Sequence, residues 1–326
     1  MRRVYLIGGT LAVLAAAIIV PMPFIAIEPG VALPVPSRVH LQTTDVHPIR
    51  GQLLMTAVTL AEPSAVGVVA AWANPKDDVV PKPAVIPPGV DEQQYLVTQQ
   101  KLFEETGRIA AAVGLRAAGY PVNITGGGAQ VMGVIRGSPA DGKLRVGDVI
   151  TAVDGQPIRL ASDLGRATAR AHQSDVVTLT VQSAGQPRSV QVTLDRIDQL
   201  GRIGLGVSVQ TVGLDVTLPF PVEVDARQLG GPSAGLMISL TVFDMASPVD
   251  LVRGRTIAGT GTIDLDGNVG PVGGVKQKVE TARAEHATIF LVPADELAQA
   301  REGADSTIRL IPVTTFDEAR RALAAS

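Results

Sequence analysis

The sequence predicts an α+β chain of several parts behind an N-terminal membrane-spanning helix. Three observations carry that prediction. Met1-Arg2-Arg3 precedes an uncharged run from Val4 to Ile27, which as a helix would extend about 36 Å against a hydrocarbon core of roughly 30 Å. Apolar residues Leu96, Leu102, Phe103, Ile109 and Val113 return at helical intervals between Asp91 and Ala118. From Gly126 the pattern changes to short β-branched runs separated by turn residues.

The elements follow in order. Arg2 and Arg3 keep the start of the run in the cytoplasm and place Glu28 onward outside, so residues 1–27 are read as a single-pass anchor of the cell membrane. Basic, apolar and small-residue regions also suit a cleaved signal peptide. Residues 28–125 form an N-terminal α/β region, with strands expected at Leu53–Leu60 and Val66–Ala71 and an exposed, proline-rich loop from Lys76 to Pro88. Asp91 is a plausible N-cap for the helix that follows, and Gly114 and Gly119 mark where it weakens.

Composition narrows the function classes. A net charge of −3 without a long basic run gives nucleic-acid phosphates little to bind. The chain has no cysteine, which removes disulfides, thiolate metal sites and a thiol nucleophile. His40, His47, His172 and His286 are scattered singly without a zinc spacing, and no metal or cofactor is expected.

Val131-Met132-Gly133-Val134-Ile135 reads as a strand, Gly137-Ser138-Pro139-Ala140 as the start of a short helix, and Leu144 to Gly155 as turn, strand and turn. Ser162 to Ala171 is a helix, followed by strands Val176–Gln182 and Ser189–Leu194. This succession resembles a PDZ domain of the bacterial protease-associated kind, placed at residues 126–198. The resemblance implies that an extended peptide adds as a strand to a sheet edge while backbone amides take its terminal carboxylate. Gly126, Gly127 and Gly128, with Ala129, Gln130 and Val131, are the candidate carboxylate and strand-pairing site. The run departs from the Gly-Leu-Gly-Phe loop of better-known PDZ domains, and a flexible linker entering the domain explains it equally.

Three further segments stand out: Gly230-Gly231-Pro232-Ser233-Ala234-Gly235 before an apolar helix, Ile257 to Gly267, and Val269-Gly270-Pro271-Val272-Gly273-Gly274-Val275-Lys276-Gln277-Lys278. In this order they resemble the proteolytic domain of Lon proteases, placed at residues 199–326. The resemblance implies Ser233 as nucleophile, Lys276 as its base and Thr260 as a support that orients the lysine. A serine hydroxyl needs a neighbouring base, none of these motifs contains histidine, and lysine serves if burial strips its proton. The chain uses six lysines against 22 arginines, yet two of the six fall in one motif. Only lysine can act as a base, because a guanidinium does not deprotonate. Lys278 is read as a solvated helix charge. Backbone N–H groups of Gly231 and Ser233 at the helix start suit an oxyanion hole, although Gly-Pro-Ser-Ala-Gly alone also suits an ordinary helix cap. Asp264 and Asp266 are read as a turn between strands rather than a calcium loop. The family often has an acidic residue before Gly-Pro-Ser where this chain has Gly230.

Together these features lead us to expect a serine endopeptidase that cleaves unfolded or tail-exposed proteins outside the cytoplasmic membrane, with the PDZ domain recruiting or gating substrates. No Gly-x-x-x-x-Gly-Lys-Ser/Thr sequence is present, so ATP independence is expected. The resemblance also implies a homo-oligomer. The rival reading is a catalytically inactive PDZ scaffold that binds protein C-termini.

Overall fold

A computed structural model describes residues 17–169, 171–197, 201–227 and 229–325. The start of the expected anchor, residues 1–16, lies outside the described residues. Its end is corrected. Residues 17–19 are helical, but Pro21 forms a β-bridge with Ser64, and Phe24–Pro34 is strand β1. Pro21 and Pro23 cannot continue a helix, and Ile25 and Ala26 are buried in a sheet instead. No helix among the described residues is long and apolar enough to cross a membrane.

The described residues form two compact units, and they do not follow the expected linear order. Residues up to Pro121 join those from Leu218 onward in one unit, and Val122–Thr217 forms the other. The segment read as a separate N-terminal region is therefore half of the first unit. It contributes β1, β2 (Val39–Leu41), β3 (Gln52–Ala61), helix α1 (Ala65–Ala73), β4 (Asp78–Pro81) and helix α2 (Glu92–Ala117). The strand expected at Val66–Ala71 is thus helical: Ser64 caps it, its hydroxyl accepting from Gly67 N at 3.3 Å. Short apolar runs do not distinguish strand from helix by periodicity. Likewise the expected loop from Lys76 contains β4, which pairs with β1 at the sheet edge. Asp91 does cap α2, accepting from Gln94 N at 2.8 Å.

The second unit begins and ends in one antiparallel ribbon, β5 (Asn123–Thr125) against β14 (Asp215–Thr217). Inside it lie β6 (Ala129–Val134), β7 (Val149–Val153), β8 (Gln156–Pro157), helix α3 (Ala161–Thr168), β9 (Val176–Ser183), β10 (Gln186–Thr193), the hairpin of β11 (Asp195–Ile197) and β12 (Arg202–Gly204), and β13 (Val207–Thr211). The main path of the sheet runs β10-β9-β7-β6-β13 around a core that includes Val131, Ile150, Leu179, Val181 and Val192. The helix expected to start at Gly137 is a turn. The boundary at 198/199 is also corrected, because β13 pairs with β6 and is an edge strand of this sheet.

The chain then returns to the first unit with β15 (Val222–Val224), helix α4 (Gly235–Met245), β16 (Thr256–Gly259), the β17/β18 hairpin (Thr262–Ile263, Val269–Gly270), helix α5 (Val275–Ala284), β19 (Ile289–Pro293), helix α6 (Leu297–Gly303), β20 (Arg309–Val313) and helix α7 (Phe316–Ala325). One six-stranded sheet, β20-β19-β16-β3-β1-β4, joins both halves. Its β20, β19, β16 and β3 are parallel, and every residue of β19 is buried, as expected of a strand covered on both faces. Helix α5 packs on β1 and β3, and α2 packs along α4. Gly114 does not end α2. A Cβ there would lie 2.6 Å from the Ser239 carbonyl oxygen and 2.8 Å from Val242 Cβ, so glycine permits the close approach of the two helices.

Candidate active site and peptide groove

Ser233 sits in the turn before α4, and its backbone is fixed by the end of β16. Its carbonyl oxygen accepts from Gly261 N at 2.9 Å and from the Thr260 hydroxyl at 3.1 Å, while Leu236 N donates to the Gly261 carbonyl at 3.1 Å. Gly235 allows this closeness, since a Cβ there would meet Ile263 Cγ2 at 2.7 Å. Thr260 is fully buried, and besides donating to Ser233 it accepts from Lys278 Nζ at 3.2 Å. Ser233, Thr260 and Lys278 are therefore consecutive members of one hydrogen-bonded chain.

Lys276 lies elsewhere, and its expected place beside Ser233 is corrected. Its Nζ donates to Asp78 Oδ1 at 3.0 Å, and Gln277 Nε2 donates to the other oxygen of the same carboxylate at 2.8 Å. The reason is helical geometry. Two residues apart on a helix means about 200° of rotation, so one lysine faces the core when the other faces away. Val275, Val279 and Ala282 are buried and put Lys278 on their apolar face, three residues after Val275 and four before Ala282. Lys276 instead shares its face with Glu280 and Arg283. That pattern was present in the sequence and identifies Lys278 without structure.

Lys278 is 3% exposed. Burial pushes its ammonium pKa down to about 8, with the Glu296 carboxylate opposing the shift. Glu296, raised by its own burial, accepts from Val272 N at 3.1 and 3.0 Å. A lysine with this pKa is partly neutral near pH 7 to 8, which is what a proton acceptor requires.

The expected oxyanion donors also change. Gly231 N donates to the Gln99 carbonyl on α2 at 2.8 Å, so it is engaged. Gly231 has φ +79°, and a Cβ at Gly230 would lie 2.9 Å from Gln99 Cβ. The two glycines thus seat the turn against α2. The amides of Ser233 and Ala234 have no hydrogen-bond partner among the described residues. Asp264 closes the β17/β18 turn by accepting from Asp266 N and Asn268 N, and no cluster of metal-ligating side chains occurs among the described residues.

In the second unit, two of the three glycines read as a carboxylate site have their amides engaged by the fold. Gly127 N donates to Val212 O at 2.7 Å and Gly128 N to Arg159 O at 3.0 Å. Ala129, Gln130 and Val131 belong to β6, an interior strand between β7 and β13 with no open edge. A cleft of about 470 Å³ opens instead between α3 and the edge strand β13, lined by Leu164, Thr168, Ile203, Leu205, Val207 and Val209 among others. The segment leading into β13 is Gly204-Leu205-Gly206-Val207, close to the Gly-Leu-Gly-Phe pattern that was absent at Gly126. Gly206 has φ +76° and lies against Ser138, so only glycine fits. This pattern follows the other strands of the domain instead of preceding them, so linear order alone does not mark it as the peptide loop.

Family models match part of each unit. Residues 130–183 match the PDZ domain family, and residues 220–324 match the Lon protease (S16) C-terminal proteolytic domain. The Lon protease of Rickettsia bellii is 31% identical over 107 residues, covering 32% of this chain and 14% of that protein. Lon protease 2 of Bacillus subtilis is 29% identical over 116 residues, covering 35% and 19%. The chain thus spans under a fifth of the length of these relatives. Among solved structures, PDZ domains of SdrC-like proteins from Listeria monocytogenes and Listeria innocua are 25% and 27% identical. They cover 27% and 25% of this chain and 92% of each structure, with TM-scores of 0.25 and 0.24. The chain is a mixed α+β protein that carries a PDZ domain and a Lon-type C-terminal proteolytic domain.

Proposed function

We propose that this chain is an ATP-independent serine endopeptidase in which Ser233 is the nucleophile and Lys278, not Lys276, is the general base. The observation that carries the reading is the buried Lys278 amine bonded to Thr260, whose hydroxyl in turn holds the Ser233 backbone. Neutral Lys278 takes the Ser233 proton as Oγ attacks the peptide carbonyl carbon. The amides of Ser233 and Ala234 stabilise the oxyanion at the start of α4. Lys278 then gives its proton to the leaving amine as the C–N bond breaks, leaving an acyl-serine. Water attacks the ester and passes a proton to Lys278, which hands it to Ser233 Oγ as the ester C–O bond breaks, releasing the acid product and restoring the free serine and the neutral amine. Thr260 orients the lysine, as a third group often orients the base.

The groove between α3 and β13 takes an extended chain end by strand addition, with the amides around Leu205 and Gly206 facing its carboxylate. The substrates are unfolded or tail-exposed proteins outside the cytoplasmic membrane, to which residues 4–20 tether the chain. At about 26 Å as a helix this uncharged run is near the short limit for a span. Labelling with a serine-directed electrophile tests the enzyme reading. One adduct on Ser233, lost in Lys278→Ala and kept in Lys276→Ala, is expected. No adduct in the wild type, with peptide binding to the groove intact, would leave the PDZ scaffold as the better account.

A further inference from the structure

Helix α1 is apolar all round. Ala65-Val66-Gly67-Val68-Val69-Ala70-Ala71-Trp72-Ala73 contains no charged residue, and its only hydrogen-bonding side-chain group is the Trp72 indole N–H. A surface helix ordinarily turns polar residues outward, and a helix without them is ordinarily covered. Here only Val68 and Ala71 are buried, while Val66, Val69 and Trp72 are 53%, 63% and 68% exposed. Trp72 is the only tryptophan of the chain.

The position of this face indicates its partner. Pro21 bridges Ser64, the cap residue of α1, and Met22 N donates to Pro63 O at 2.8 Å. The part of the uncharged run that precedes Pro21 therefore ends beside the first turn of α1. Its last residues, Ile18, Ile19 and Val20, are themselves more than half exposed. If that run enters a bilayer, α1, about 13 Å long, starts at the membrane surface. A short apolar helix with a tryptophan is suited to the boundary between headgroups and acyl chains, where an indole buries its ring and keeps its N–H hydrated.

We propose that the outer face of α1, formed by Val66, Val69 and Trp72, is a second membrane contact that lies in the lipid interface next to the N-terminal run. The proposal rests on the reading of that run as the membrane tether. Two contacts, one inserted and one lying flat, fix the orientation of the proteolytic unit on the bilayer, whereas a single tether leaves it free to rotate.

The sole tryptophan makes the test direct. The full chain is reconstituted into phosphatidylcholine vesicles, and flotation reports the tether. Trp72 emission is then compared between ordinary lipid and lipid brominated high on its acyl chains. For a ring seated 5–10 Å below the surface, emission shifts to the blue and falls by roughly half or more in the brominated vesicles. Val66→Asp with Val69→Asp, both at exposed positions, keeps flotation but restores much of the emission. If the protein floats while Trp72 stays unquenched and open to acrylamide, the α1 contact is wrong and the tether stands. If the protein does not float, the tether reading fails and the proposal fails with it. A blue shift that follows protein concentration without lipid would assign the face to a second copy of the chain and overturn the proposal.

Discussion

The two units are assembled in opposite ways. The PDZ unit is one uninterrupted stretch, Val122 to Thr217, whose ends meet in the β5/β14 ribbon with Asn123 opposite Thr217. The proteolytic unit is split by it, and its sheet places β3 directly beside β16, with Leu53 opposite Ile257. An inserted module with adjoining ends adds little strain to its host, so it can be lost without unfolding the rest. The residues proposed for catalysis, by contrast, are carried by elements packed on a sheet whose other half comes from the opposite side of the insertion. The Asp78 carboxylate that holds Lys276 and Gln277 is part of that other half.

The sharpest way to break this comparison lies inside helix α5. Ser233→Ala and Lys278→Ala should each lower peptide hydrolysis by roughly 10³-fold or more, since they act as one unit. Lys276→Ala should leave turnover near that of the wild type and cost about 0–1 kcal/mol of stability, as a partly exposed ion pair does. Fluorogenic-peptide assays with denaturant melts decide between the two lysines. A dead Lys276→Ala that remains folded would return the base to Lys276.

The next test is topological. Replacing residues 123–216 by a short glycine-serine linker should leave short-peptide hydrolysis intact and reduce cleavage of protein substrates, because adjacent antiparallel strands lie only about 5 Å apart. Deleting 126–196 should be far worse for solubility, because it removes β6 and leaves β13 without its sheet partner. Equal behaviour of the two deletions would show that the PDZ unit is not an independent cassette.

The pH dependence should follow Lys278. The amine accepts a proton only when neutral, so kcat/KM should rise about tenfold per pH unit at low pH and level off above about 8. The stability sign is the reverse of the usual paired lysine. Burial lowers the folded pKa below the unfolded one, so the cost of the charge is complete below about pH 8 and is relieved as pH rises toward the ordinary lysine range. Lys278→Met should therefore raise the Tm at pH 7, with the gain shrinking at pH 10. A Tm lowered by that substitution would contradict the burial argument.

The smallest effect concerns the helix pair behind the site. Gly114→Val should cost roughly 1–3 kcal/mol through overpacking against α4, measured by urea unfolding. A neutral result would mean that the two helices separate without penalty.

Much of this was legible in the sequence, residue by residue. Asp91 as a cap, the strand at Leu53, the PDZ succession from Val131 and the Ser233 turn all depend on local chemistry: a carboxylate beside free amides, alternation, turn glycines. The placement of Lys278 on the buried face was also legible, from the 100° step applied to Val275, Lys278 and Ala282. What the linear pattern did not reveal was which segments share a sheet. Val66–Ala71 became a helix because Ser64 caps it, and Gly127 and Gly128 lost their amides to Val212 and Arg159. The pairing of β13 with β6 moved the candidate peptide groove from Gly126 to Gly204, while Gln99 took the amide of Gly231. Local sequence determined the residue types and the elements. Long-range pairing decided which amides were left free and which groups surround the buried lysine, because hydrogen-bond satisfaction and desolvation are properties of neighbours brought from elsewhere in the chain.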